Sequence, residues 1–266
     1  MKTTTAQDGT TLAYEQVGEG PALVFVPGAF NLRDTCAPIA AQLADAYTCF
    51  TYDRRARGES SNTPPYAIER EVEDLRALLE VAGGRAAVFG YSSGAVLALR
   101  AAADGLPINR LFLYEPPFRF EDEAATAPPP AAPAADLPER LQRMVDEGRT
   151  AEVVSTFQLE GIGLPPQVVE GIQRSALFPR LQAIAQSVVH DATITAVLPV
   201  PTPAMAAVQV PTLVLRGART WPLLATAAQR LAALLPNAEL HVLLGAADHG
   251  LEPVSTAAAI RRIGCP

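Results

Sequence analysis

The chain opens with short apolar runs that do not alternate with polar residues: Ala22 to Val26, Thr48 to Tyr52, Ala86 to Phe89 and Leu111 to Tyr114. Runs of this length without a polar face suit strands buried on both sides of a parallel sheet. Between them lie stretches of helical period, Pro38 to Ala46, Ile68 to Ala82 and Ala95 to Ala103. In the second, Val72, Leu75, Leu78 and Leu79 share one side, and Gly83-Gly84 supplies the stop. Asp8-Gly9-Thr10, flanked by Thr-rich and alternating residues, predicts an N-terminal hairpin. Strand and helix in alternation predict an α/β fold, a mostly parallel sheet with helices on both faces.

The pattern breaks after Pro117. Glu121 to Pro138 is rich in Ala and Pro and reads as a flexible or extended connector. Helical stretches follow at about Glu139 to Glu147, Ala151 to Gln158, Pro166 to Ser175 and Pro179 to Val189, closed by the Pro-rich segment Pro199 to Pro203. Thr212 to Leu215 (strand), Leu223 to Leu235 (helix) and Glu239 to Leu244 (strand) resume the first pattern. The expected organisation is a core of residues 1–117 and 208–266 interrupted by a helical cap or lid insertion at 118–207. Met144, Val153, Phe157, Leu159, Ile162 and other apolar residues of the insertion are expected mostly to pack its own interior and partly to face a cleft. Pro and Ala at its junctions suggest a lid able to shift.

Composition narrows the function. The 266 residues are 49% hydrophobic and 18% charged, a folded composition. Twenty-one Lys and Arg against 28 Asp and Glu leave a net charge of −7, which disfavours nucleic acid, whose phosphates demand clustered cations. No apolar run reaches the roughly 18 residues of a membrane span, and Met1-Lys2-Thr3-Thr4-Thr5 lacks the apolar stretch of a signal peptide. A cytoplasmic protein is expected, with no membrane partner. Cys36, Cys49 and Cys265 have no metal-ligand spacing and argue against a disulfide framework. Cys49, in an apolar run, reads as a buried, inert thiol.

The chemistry centres on Gly90-Tyr91-Ser92-Ser93-Gly94, between a predicted strand and a predicted helix. In that setting the G-x-S-x-G pattern places a serine at the tip of a sharp turn, and the small residues two positions away make room for it. The following helix end puts backbone N–H groups beside the serine oxygen. Ser92 is therefore the candidate nucleophile, and Ser93 would offer its backbone N–H. A serine hydroxyl needs an adjacent base. Of the three histidines, His249 follows the last predicted strand and falls on the same sheet edge as Ser92. His241 lies within that strand and reads as structural; His190 lies in the insertion, after a helix, and competes less well. A second oxyanion donor is expected from Ala29 N–H in the loop Pro27-Gly28-Ala29-Phe30.

Together with Asp53-Arg54-Arg55-Ala56-Arg57-Gly58-Glu59-Ser60, similar to a D-x-R-G-x-G-x-S pattern, these motifs resemble the α/β-hydrolase fold superfamily, in its serine-nucleophile branch with a helical cap. The resemblance implies a Ser-His-acid triad between core and cap. It also marks two departures. Pro27-Gly28 stands where relatives often have His-Gly, and Thr220 stands where the triad acid is usually found. Glu115, after the strand ending at Tyr114, is the expected replacement, since some relatives place their acid there. Asp248 and an acid-free Ser-His dyad are the alternatives. An aspartate nucleophile, as in haloalkane dehalogenases and epoxide hydrolases, is disfavoured by Ser92. Phe30, Tyr91 and Trp221 are expected to line the substrate cleft. The expected activity is hydrolysis of a small, apolar ester, thioester or lactone, with no metal and no organic cofactor. A non-hydrolytic acyl transferase, cyclase or lyase, or a ligand-binding protein without turnover, stands as the alternative.

Overall fold

The computed structural model describes residues 1–120 and 133–264. Most of the predicted connector, residues 121–132, and Cys265 lie outside the described residues. Strands β1 (Lys2–Thr5) and β2 (Thr11–Val17) form the expected hairpin, with Lys2 opposite Tyr14. There follow β3 (Ala22–Val26), α1 (Arg33–Leu43), β4 (Thr48–Tyr52), α2 (Ile68–Val81), β5 (Ala86–Tyr91), α3 (Ser93–Ala103) and β6 (Ile108–Tyr114). Helices α4 (Leu137–Asp146) and α5 (Thr150–Thr156), a π-helical stretch Phe157–Ile162, and helices α6 (Pro166–Gln173), α7 (Phe178–Ala183), α8 (Ala185–Val197) and α9 (Pro203–Ala206) come next. The chain returns to the sheet with β7 (Thr212–Arg219), α10 (Pro222–Leu234), β8 (Ala238–Ala247) and α11 (Pro253–Gly264).

The strands lie in the order β1-β2-β4-β3-β5-β6-β7-β8. The β1-β2 and β2-β4 pairs are antiparallel and the others parallel. Successive strand residues point to opposite faces, so each apolar run feeds two cores. Val24, Val26, Val88, Leu111, Leu113 and Val214 pack with α2, α3 and α10. Leu23, Phe25, Phe89, Phe112, Leu213 and Leu215 pack with α1 and α11. Among the described residues, no helix is long and apolar enough to cross a membrane.

The structure corrects several predicted elements. Helix α1 starts at Arg33 and carries Pro38 inside it. Its N-terminal amide at Arg33 is accepted by Asp53 Oδ1 at 2.8 Å, a cap supplied from another loop and invisible to local pattern. The single helix predicted over Pro179 to Val189 is two, broken at Ile184 (φ −113°, ψ 23°). Helix α8 then runs on to Val197, so His190 lies within a helix rather than after one. Helix α11 was not predicted, because Ala257 and Ala259 carry much of its buried face beside Ile260.

Candidate active site

Ser92 joins β5 to α3 with φ 56° and ψ −123°. This left-handed conformation is strained for a residue with a Cβ and persists only when its surroundings fix it. Here Ser92 N–H donates to Tyr114 O at 2.9 Å, and Ser92 O accepts from Ala95 N–H at 2.9 Å. Glycine is required around the turn. A Cβ on Gly90 would approach Ala95 Cα to 2.5 Å, one on Gly28 would approach Ser92 Cβ to 2.7 Å, and one on Gly94 would collide with Val26 O.

Register brings a carboxylate next to the serine. Tyr91 pairs with Tyr114 across β5 and β6, so Glu115 leaves the sheet beside Ser92. Glu115 is fully buried, with φ 46°. Its Oε1 accepts from Gly217 N–H at 2.7 Å, and its Oε2 lies 2.5 Å from His249 Nδ1. His249 sits beyond β8, where Asp248 (φ 51°) and His249 (φ 61°) are both left-handed. Tyr91 Oη donates to His249 O at 2.5 Å, and Tyr114 Oη donates to Gly250 O at 2.7 Å. The imidazole lies near Tyr91 (ring centroids 5.1 Å apart) and Trp221 (5.5 Å).

Ala29, Tyr91, Ser92, Ser93, Trp221 and His249 share the wall of one cavity of about 140 Å³. Ser92 and His249 are not hydrogen-bonded to one another in this structure; such bonds often tighten only around substrate. Phe157, Ile162 and Thr195 close the cavity from the helices between β6 and β7. A second cavity of about 760 Å³ shares Asn31, Tyr91, Ile162 and Leu164 with the first. Phe30 lines this outer space and packs on Phe157, with ring centroids 5.7 Å apart, instead of lining the cavity at Ser92. Leu177 and Ile184 line the outer space too, whereas Val153 and Val188 are interior and Leu159 is exposed. Asp248 also faces the outer space, and the shielded Thr220 hydroxyl has no hydrogen-bond partner. His241 stands 3.4 Å from Arg262 Nη2.

The alpha/beta hydrolase family profile matches residues 23–260. The chain belongs to the alpha/beta hydrolase family. An alpha/beta hydrolase from Sphaerobacter thermophilus is 39% identical over 99% of this chain and 100% of its own, with a TM-score of 0.90. An esterase from Thermogutta terrifontis shares the fold at 23% identity and a TM-score of 0.69, over 98% of this chain and 97% of its own. N-formylmaleamate deformylase of Pseudomonas putida is 36% identical over 104 residues, 38% of this chain and 39% of that protein. The curated relatives are thus matched over little more than a third of their length.

Below the site, this alpha/beta hydrolase carries a buried ionic cluster built on the Asp53 to Ser60 segment, whose carboxylate partners Glu71, Asp74 and Asp191 sequence reasoning missed. Arg54 Nε and Nη2 each donate to Glu71 at 2.6 Å, and Arg55 pairs in the same forked way with Asp74 at 2.7 Å. Such forks bring geometric specificity as well as charge. Glu71 is held down at a pKa of about 2, Arg54 offsetting the cost of burial. Arg54 Nη1 and Arg57 Nη2 reach the two oxygens of Asp191, in α8, at 2.9 and 2.7 Å. Ser93 Oγ donates to Asp191 Oδ1 at 2.7 Å. Neither Arg54 nor Arg57 occupies a specified position of the D-x-R-G-x-G-x-S pattern, which left them without a signal. Cys36 and Cys49 are buried, and burial pushes both thiols up to about 12.

Proposed function

We propose that the protein is a serine hydrolase of small carboxylic esters, thioesters or lactones. The observation that carries this reading is the buried Glu115 carboxylate 2.5 Å from His249 Nδ1, with His249 and Ser92 on one cavity wall. With Glu115 accepting from Nδ1–H, the lone pair of His249 sits on Nε2, where a general base needs it. Ser92 Oγ attacks the acyl carbon and His249 takes its proton. The oxyanion is received by the N–H groups of Ala29 and Ser93. His249 then protonates the leaving oxygen or sulfur, and the acyl group remains on Ser92. Water, deprotonated by His249, attacks the acyl-enzyme, and collapse of the second tetrahedral intermediate returns Ser92 and releases the acid. Glu115 stabilises the imidazolium in each half.

A cavity of ~150 Å³ holds a benzene ring, so the space at Ser92 suits a short or single-ring acyl group. Pro117, Phe157, Ile162 and Leu223 favour an apolar one. The deformylase relative named above acts on an N-formyl amide, so such an amide belongs in the substrate panel.

The test is intact-mass measurement after exposure to a fluorophosphonate probe, with Ser92→Ala in parallel. One adduct on the native protein and none on Ser92→Ala is the expected result. A folded native protein that takes no adduct from a probe active on a known serine hydrolase refutes the reading.

A further inference from the structure

We infer that Arg57 and Asp191 are positioning residues that hold the Gly28–Ala29 peptide against Ser92, so that helix α8 sets the geometry of a site built on the sheet. This rests on the proposed role of Ala29 N–H as an oxyanion donor.

A trans peptide unit is planar, and its C=O and N–H point in opposite directions. Gly28 O and Ala29 N–H are the two ends of one such unit. Arg57 Nη1 donates to Gly28 O at 2.5 Å and to Asn31 O at 3.0 Å. The guanidinium therefore grips the loop on either side of Ala29 and fixes the plane of its amide. Ala29 lines the cavity at Ser92, and Gly28 is close enough to Ser92 to exclude a Cβ. A cation on the carbonyl also polarises the peptide, which strengthens its N–H as a donor.

Arg57 is 1% exposed, and such burial opposes its charge. The compensating carboxylate is Asp191, 0% exposed and carried by α8. Its second oxygen receives Ser93 Oγ and Arg54 Nη1, and Arg54 Nη1 also reaches Pro27 O at 3.2 Å. Ser93 supplies the other proposed oxyanion N–H. One carboxylate from α8 thus holds both halves of the oxyanion site, one through an arginine and one through a hydroxyl.

The experiment is the kinetics of fluorophosphonate labelling in native protein, Arg57→Gln, Arg57→Lys and Asp191→Asn, with the maximal rate separated from the half-saturating concentration. Phosphonylation also places an oxygen in the oxyanion site. Loss of one oxyanion donor costs ~10²- to 10³-fold, so misorienting one should cost about 10- to 100-fold. We expect that fall in maximal rate for Arg57→Gln, a half-saturating concentration within about twofold of native, and partial recovery in Arg57→Lys. A folded Arg57→Gln with a native maximal rate overturns the inference. If that variant does not fold, Asp191→Asn and Arg57→Lys decide, and native rates in both overturn it. Native protein that is labelled while the variants react normally sinks this inference alone. Native protein that is not labelled sinks the proposed function and this inference with it.

Discussion

At the scale of single residues, Ser92, Glu115 and His249 each follow the end of a parallel strand, β5, β6 and β8 in turn, and so meet at one edge of the sheet. Ser92 stood out because its glycine neighbours and its strand-turn-helix setting all lie within a few positions. His249 followed from scarcity and from the sheet edge. Glu115 was reached through family resemblance. The structure gives its position a physical basis, since the register of β5 with β6 sets it beside Ser92. Arg57 and Asp191 were unreadable because they are 134 residues apart and meet only in the folded chain. The proposed role of Glu115 has a sharp test. In Glu115→Gln the amide oxygen can still accept from Gly217 N–H. Its NH₂ group would then face His249 Nδ1 and favour the tautomer that carries its proton on Nε2, the wrong one for a base. We expect fluorophosphonate labelling to slow by ~10²- to 10⁴-fold with the melting temperature little changed. Native labelling rates in this variant would remove Glu115 from the mechanism.

At the scale of elements, apolar runs located the strands well because burial on both faces leaves few alternatives. Helix ends were harder, since what starts or breaks a helix here comes from elsewhere in the chain: Asp53 caps α1, and no proline or glycine marks the break at Ile184. Helix α8 shows a further consequence of tertiary burial. His190 is 1% exposed and stacks on Tyr66 with ring centroids 3.9 Å apart. Burial lowers its pKa from 6.5 to about 4, opposed by Glu71 and Asp191 and assisted by Arg57 and Arg54. Between those two values the unfolded chain binds the proton and the folded chain does not. The contribution of this group to stability therefore falls as pH drops from 6.5 to 4, by up to about 3 kcal/mol. Replacing His190 with Phe should flatten that part of the curve, measured by urea unfolding at a series of pH values. Equal slopes in the two proteins would show that His190 is not the group responsible.

At the scale of the whole molecule, alternating elements foretold a parallel sheet but not the fastening of the helices between β6 and β7 to it. In this conformation α8 is joined to the sheet side of the molecule by the ion pairs of Asp191 with Arg54 and Arg57. Leaving a buried charge without its partner costs about 3 to 5 kcal/mol, against a total stability of roughly 5 to 15 kcal/mol for a typical protein. Replacing residues 118–207 with a short linker should therefore abolish cooperative thermal unfolding followed by circular dichroism. A sharp melt in the truncated chain would show that the core stands alone. The placement of Glu115 at the end of β6 has a different kind of consequence. In the proposed mechanism the loop after β7, with Trp221 against His249, is relieved of proton chemistry. Selection or design can then rewrite that loop to change which acyl group is accepted while the reaction itself is inherited intact.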